Sequence, residues 1–596
     1  MRRRPLLAAS RLSAATSRGL GGALLTSALV LLAACDRRNG TDVAADADGR
    51  AEAADAGAQG DATRSPNDAA SPFRFRDATA GSGLDLVTTS GRMPSSQILE
   101  VKGGGLVLID FDRDGLVDLF VPNGATLDDP ERGPGARLFR NEGGLRFRDV
   151  TAESGITHRR WSFGGAAGDV DGDGFDDLVI ACFGPNVLLR NRGDGTFEDV
   201  SAASGIEGSA WTTSMALADL DLDGDLDLCE TNYLEFDPRS PPAGARFKGI
   251  DVLAGPRGLV PAADRVLENL GDGTFRDRTA DAGFAVEPGY GLNLAVADFS
   301  GDGKPDLYVG NDSQPNRLFV QQAPWQFEER GMPAGLAVNF EGNAQATMGI
   351  ALGDVDGNGR PDLFTSNFSS DTNTLHLNLD GRFFDDRTAA FGLGAPSRSL
   401  LGWAAGFFDF DLDGAEDLLV VNGHVYPQAT IETMDSAYAQ PPLLFHREGS
   451  RFRRVESAGS WPMEPRVDRT AVFADFDGDG DVDAVIGELN GPLRLVANEA
   501  DPTADRWLRV RLRDDRPGVA NRRGIGAVVS LEGAGTPQRR WLWSGGPFQS
   551  NLVPEAHFGF AAPTGPLAVV VRWPDGVEQR VEPVSPGAVL EVVRRE

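Results

Sequence analysis

Between residues 110 and 483 short apolar runs come in pairs, and seven times a polar stretch of nine residues separates the two members of a pair. Leu217-Ala-Asp before one such stretch and Asp306-Leu-Tyr-Val after another alternate with the period of two expected of strands. The stretches begin at Asp110, Asp169, Asp219, Asp298, Asp354, Asp409 and Asp475, a mean spacing of about 61 residues, in the range where repeats build propellers, solenoids or arrays. After the second apolar run each unit continues into a turn and a further strand, as in Leu189-Arg-Asn-Arg-Gly-Asp-Gly-Thr-Phe-Glu-Asp-Val200 and Leu267-Glu-Asn-Leu-Gly-Asp-Gly-Thr-Phe-Arg-Asp277. Four short strands per unit predict an all-β fold, a seven-bladed β-propeller. The seventh unit lacks its last strand, whereas Phe75-Arg-Asp-Ala-Thr79 stands before the first with no blade of its own. The N-terminal strand is therefore expected to complete the last blade and remove the open edge.

The separating stretch reads Asp-x-Asp-x-Asp-Gly-x-x-Asp with small lapses. Acidic side chains at alternate positions of a tight loop converge on one point, where a hard cation with 6–8 oxygen ligands stabilises them. The candidate ligands are Asp110, Asp112, Asp114 and Asp118; Asp169, Asp171, Asp173 and Asp177; Asp219, Asp221, Asp223 and Asp227; Asp298, Ser300, Asp302 and Asp306; Asp354, Asp356, Asn358 and Asp362; Asp409, Asp411, Asp413 and Asp417; and Asp475, Asp477, Asp479 and Asp483. The backbone carbonyl of position seven would add to each set, and position six is glycine in every copy. The set suits about seven structural Ca²⁺ ions. An EF-hand is excluded, because the flanks are strands and position twelve is not a regular Glu. Acidic turns that bind nothing are the alternative; converging carboxylates without a cation would have to raise their pKa values or unfold the loop.

These units resemble the FG-GAP/VCBS repeats of integrin-α-type propellers, and that resemblance implies structural calcium in the loops. The tail extends the likeness. Asn521-Arg-Arg-Gly-Ile-Gly-Ala527, Ser544-Gly-Gly-Pro-Phe-Gln-Ser550, His557-Phe-Gly559 and Val571-Arg-Trp-Pro-Asp-Gly576 resemble the ASPIC/UnbV module that follows the propeller in bacterial cartilage acidic protein-like chains. The expected organisation is a lipoprotein signal peptide over 1–35, an Ala/Asp/Gly-rich tether over 36–72, the propeller over 73–503 and a small C-terminal β domain over 504–596.

Arg2, Arg3 and Arg4 precede an apolar stretch that ends Leu31-Leu-Ala-Ala-Cys35, too short for an ordinary membrane span. It resembles a bacterial lipoprotein box, which implies lipidation of Cys35 and an exported chain held in the cell envelope by its lipid alone. The tether lacks large apolar residues, so it cannot fold, and it would span on the order of 35 Å. The net charge is −31, but 26 acidic residues belong to the loops. Seven Ca²⁺ would leave about −17, and that remainder disfavours nucleic acid as partner. Past residue 505 the balance turns basic, with Arg506, Arg509, Arg511 and Arg513 close together. Cys182 and Cys229 are left either to pair or to stand as buried thiols.

Trp161, Trp211 and Tyr290 each stand eight residues before a loop. Alternation puts them on the face away from the cation, where they either stack a ligand at the channel mouth or pack between blades. The longest insertions, 232–264 and 422–443, emerge on that face, and the second carries His424 and Tyr426. These five residues form the expected ligand rim. Arg192-Gly-Asp194 looks like an adhesion tripeptide, yet the next unit has Leu270-Gly-Asp-Gly in its place, so the repeat explains it. The expected function is recognition of a protein or glycan by a monomeric, calcium-stabilised module without catalysis. A polysaccharide lyase or hydrolase on the same scaffold is the alternative; against it, none of the five histidines lies in a hydrolase or zinc signature.

Overall fold

The computed structural model describes residues 71–500, 506–561, 563 and 565–596. The expected signal peptide, Cys35 and nearly all of the tether lie outside the described residues. The seven repeats fold into seven antiparallel sheets, and within each sheet the strands of the repeat itself run in chain order from the axis outwards. In the second, Ser162–Gly168, Asp177–Cys182, Val187–Asn191 and Phe197–Asp199 lie side by side. The two inner strands are buried at every position, because each sheet is covered on both faces by its neighbours. The outermost strand alternates only weakly and keeps one buried anchor, Phe197. Apolar clusters fill each gap between sheets, one of them uniting Leu106, Leu108 and Leu119 of the first with Val472, Phe476 and Leu495 of the last. The fold is a β-propeller.

The ring closes as the terminal strands suggest. Arg76–Asp77 pairs with Leu493–Ala497 of the seventh sheet, Arg76 opposite Ala497 and Asp77 opposite Val496. Phe75 is driven in behind it, 5.3 Å from the ring of Phe410 and 5.9 Å from that of Trp461.

One polar contact recurs at every joint between sheets. The side chain that ends the third strand donates to the carbonyl of position two in the preceding loop: Asn191 to Phe111 at 2.8 Å, Asn269 to Val170 at 2.8 Å, Gln321 to Leu220 at 2.6 Å, Asn378 to Phe299 at 2.9 Å and Asn498 to Phe410 at 2.8 Å. Arg447 does the same to Val355, and Asn141 of the first sheet reaches Phe476 of the seventh at 2.9 Å.

Residues 507–594 form two small sheets. Trp507–Asp514 lies between Glu555–Gly559 and a parallel Ala588–Arg594, and Val528–Glu532 lies between Gln538–Trp541 and Leu567–Arg572. Between them the chain leaves this unit and enters the propeller axis. Ser544–Gly545 adds a fifth strand to the fourth blade, beside Ala295 and Val296. Phe548 sits 4.7 Å from Trp403, Ser550 Oγ accepts the Leu106 N–H, and Asn551 exchanges backbone bonds with Leu106 and Leu108. Small inner-strand residues make room for this plug: a Cβ on Gly105 would come within 1.8 Å of the Gln549 carbonyl oxygen, and one on Gly164 within 2.2 Å.

Removing residues 73–84 should leave the seventh sheet with three strands and a bare edge, so the truncated protein should aggregate and melt lower than one starting at Phe73. Size-exclusion chromatography and a thermal melt check this; equal behaviour would mean the closing strand contributes nothing.

Candidate cation loops and the cavity opposite them

Each nine-residue loop joins the first and second strands of its sheet. Two positions take left-handed backbone in all seven copies. Position six is glycine throughout, with φ from 80° at Gly359 to 101° at Gly224 and Gly414. Position four was not recognisable from the sequence, since Arg113, Leu222 and Leu412 adopt φ of 59°, 64° and 58° there, a conformation that side chains disfavour.

Hydrogen bonds sort the carboxylates by role. Position five accepts the N–H of position seven, as Asp173 does from Phe175 at 2.8 Å and Asp413 from Ala415 at 2.8 Å. Position one uses Oδ2 for the glycine N–H, Asp169 from Gly174 at 2.8 Å and Asp354 from Gly359 at 3.0 Å. Its other oxygen is buried without a partner in Asp110, Asp169, Asp219 and Asp354, as is one oxygen of Asp221 and of Asp411 at position three. In the first, second, third and fifth loops the carboxylates of positions one, three and nine offer oxygens within 4.8 Å of one another. Converging carboxylates in which oxygens of positions one and three lack donors fit a hard divalent cation; such groups are otherwise costly.

Position nine has a second task, holding the backbone. Asp177 Oδ2 accepts the N–H of Val170 at 3.0 Å and its Oδ1 the N–H of Asn191 at 2.7 Å, and the other six copies repeat this clasp, Asp306 taking Ser300 in place of position two. Burial pushes the carboxyls of Asp118, Asp177 and Asp362 up to about 8, with the neighbouring aspartates adding to the rise. Asp169 and Asp219 go to about 7, again chiefly by burial.

The copies differ. Asp225 and Asp481 at position seven bring extra buried carboxyls, which sequence spacing did not assign because a carbonyl was expected there. In the sixth loop His446 Nε2 lies 3.2 Å from Asp411 Oδ2 and 3.8 Å from Asp413 Oδ2, and the closeness of these carboxylates raises its pKa to about 10. The fourth loop suits a cation least: Lys304 pairs with Asp302, Arg572 donates to Asp298 at 3.0 Å, and Ser300 Oγ has no partner.

The two C-terminal sheets cover this face. Arg511 donates to the Gly115 carbonyl at 2.9 Å, Ala520 and Asn521 to that of Gly224, Arg539 to that of Gly359 at 2.7 Å, and His557 Nε2 lies 2.9 Å from that of Gly480. Arg523 pairs with Asp176, Arg540 with Glu416 and Arg509 with Asp475. The basic excess of the tail is spent on the propeller's own loops.

On the opposite face the two long insertions meet. The hairpin Ala245–Phe247 and Ile250–Val252 reaches across until Lys248 Nζ donates to the Met434 carbonyl at 2.6 Å. Beneath lies a cavity of about 740 Å³ lined by Phe247, Phe368, Tyr426 and Trp403 among others. At its floor Lys102 Nζ is 3.3 Å from Asp312 Oδ2, which also accepts the Tyr233 hydroxyl at 2.6 Å. Burial lowers the Lys102 pKa.

Of the expected rim, Tyr426 lines this cavity. Trp161, Trp211 and Tyr290 are 0, 1 and 6% exposed: they pack in the core, Trp211 against Tyr233 at 5.0 Å and Tyr290 donating to the Leu259 carbonyl under the first insertion. The insertion, invisible as packing in sequence, takes the faces that Trp211 and Tyr290 would have offered. His424 is buried; its Nδ1 accepts the Tyr426 N–H at 3.1 Å, so Nε2 carries the proton and donates to Ser369 Oγ at 2.9 Å. Cys182 and Cys229 are both buried and unpaired. Asp194 accepts from Thr196 within its own turn, and Arg192 pairs with Glu198.

Two family profiles match the chain, "FG-GAP-like repeat" over residues 110–180, 169–229, 250–309 and 298–365 and "ASPIC and UnbV" over 518–596. The chain belongs to the family that joins FG-GAP repeats to an ASPIC/UnbV domain. Mouse cartilage acidic protein 1 is 26% identical over 328 residues, 54% of this chain and 47% of that protein, so the match spans about half of the relative. Human integrin alpha-7 is 27% identical over 230 residues, 35% of this chain and 18% of the integrin. Among solved structures, an Agrocybe aegerita lectin described for recognition of non-reducing terminal N-acetylglucosamine aligns with a TM-score of 0.38 at 16% identity, over 65% of this chain and 85% of the lectin. No helix among the described residues is long and apolar enough to cross a membrane.

The two roles of loop aspartates are separable. Asp171→Ala should lower the melting temperature only when divalent cation is present, whereas Asp177→Ala leaves two backbone N–H groups without acceptors and should cost about 2–4 kcal/mol with or without chelator. Thermal melts of both variants, each with and without chelator, decide it.

The pH dependence has a definite sign. A carboxyl titrating near 8 in the fold and near 3.8 when unfolded holds its proton in the folded state between those values. Its contribution to metal-free stability is present below the lower value and lost as pH rises to the upper one. The melting temperature in chelator should therefore fall from pH 5 to pH 8, and re-addition of cation should restore more at pH 8 than at pH 5. A chelated melt flat with pH would show that these carboxyls are not raised, and a melt that re-added cation leaves unchanged would overturn the cation assignment.

Proposed function

We propose that the protein is a calcium-stabilised recognition module, exported and anchored through a lipid on Cys35, that binds a protein or glycan without chemical turnover. The observation that carries this reading is the aromatic-walled cavity of about 740 Å³ where the two longest insertions meet, on the face the C-terminal sheets leave free. Concave sites with apolar walls and a few convergent polar groups are the usual ligand sites of rigid scaffolds. Calcium is favoured over softer metals because the loops offer oxygen ligands almost exclusively, and over magnesium because their sets vary in number and geometry. The likeness to integrin-α-type repeats points the same way.

The state of His424 supports a binding role over a hydrolytic one. With its Nε2 proton directed at Ser369, the imidazole cannot take a proton from that hydroxyl, and burial, followed by Arg469 and Lys248, lowers its pKa to about 3. No nucleic acid is expected as partner, and the chain is expected to be monomeric.

A glycan array probed with the calcium-loaded protein should give hits that weaken at least about tenfold in Phe368→Ala and Tyr426→Ala while the calcium-dependent melt persists. Mass spectrometry of the hits should find intact glycan. Product release would favour the lyase or hydrolase alternative.

A further inference from the structure

The polar lining of the cavity runs against the charge of the chain. The protein carries a net −31, yet Lys102, Arg246, Arg257 and Arg398 outnumber the carboxylates Asp312, Glu341 and Asp371 in this lining. Of those carboxylates only Asp312 meets a cation; Asp371 and Glu341 are held by neutral amides. Asp312 accepts from Lys102 and Tyr233, Asp371 from the Gln345 amide at 2.9 Å, and Glu341 from the Asn343 amide at 3.2 Å. Arg246 pairs with Asp251 at 3.1 Å. Among the described residues Arg257 and Arg398 have no ion-pair partner, and both are exposed. Two guanidiniums without an ion-pair partner in the lining of a concave site fit an anionic ligand, and guanidinium matches a carboxylate with two parallel hydrogen bonds.

The apolar half of the lining narrows the class. Phe247, Phe368 and Tyr426 form a cluster with ring centroids 5.5 to 6.0 Å apart, the two phenylalanines half-buried. Phe340, next in the chain to the lining residue Glu341, is 84% exposed although its N–H is held by Asp386 at 2.8 Å. A pyranose carrying a carboxylate offers an apolar C–H face and an anion in one rigid unit, so both halves of the lining are used at small entropic cost. An acidic peptide has the anion without the ring face.

We propose that the cavity binds a uronate residue of an acidic polysaccharide, its carboxylate taken by Arg257 and Arg398 and its ring stacked on the Phe247, Phe368 and Tyr426 cluster. This rests on the reading of the cavity as the ligand site. The test is calorimetric titration of the calcium-loaded full chain with oligogalacturonate and oligoglucuronate, their methyl esters, a neutral malto-oligosaccharide and hexaglutamate. At least one acidic sugar should bind about tenfold or more tighter than its ester, and the preference should shrink from about 50 to about 500 mM sodium chloride. Arg257→Gln with Arg398→Gln should abolish that preference, and Tyr426→Ala should weaken acid and ester alike. Equal binding of acid and ester, hexaglutamate matching the sugars, a preference that survives the double substitution, or no binding of either uronate at millimolar concentration would each overturn the acidic-sugar assignment while leaving the cavity as a site for another ligand. Glycan binding indifferent to Phe368→Ala and Tyr426→Ala would instead remove the cavity reading itself.

Discussion

Everything in the propeller hangs on the buried aspartate that closes each nine-residue loop. Its two oxygens hold the N–H groups that define the first hairpin and bring the third strand alongside, as Asp177 does for Val170 and Asn191. The residue so positioned then reaches back to the previous loop, and Asn191 meets the Phe111 carbonyl. Repeated around the ring, clasp and latch convert seven marginal hairpins into one closed body, because every joint satisfies backbone groups that the interior would otherwise leave unpaired. The cost is seven buried carboxylates beside further acids, which are stable as anions only with counter-charge.

That counter-charge has two sources with different geometry. Inward-facing oxygens such as Asp169 Oδ1 and Asp219 Oδ1 have no protein donor and suit a cation. The rims of the loops are met by the C-terminal sheets, whose arginines and backbone amides take the glycine carbonyls and outlying carboxylates. Ser544–Gly545 and the following residues anchor those sheets through the axis, where only glycine-lined strands admit them. One face is therefore consumed in holding the molecule together, and the C-terminal sheets leave the other uncovered.

Much of the fold was legible in the chain. The period of the acidic loops, the orphan strand at Phe75 and the invariant position-six glycines are local features, dictated by strand alternation and by backbone that a Cβ disfavours. The candidate loop ligands were legible for the same reason, since a nine-residue loop brings its own residues together. The basic cluster after residue 505 was visible as composition, though not its target.

What the sequence could not determine is where separate elements meet. Trp161, Trp211 and Tyr290 hold the register expected of them, yet all three are buried, Trp211 and Tyr290 under the insertion 232–264, and that contact depends on loop packing with no period to read. The same is true of the axial plug, of His446 beside Asp411, and of Arg257 and Arg398 lining the same cavity as Phe368. Local pattern sets hairpins and loop chemistry because both arise within a few residues. Sites built from distant segments are decided only when the ring closes and fixes which surfaces face one another.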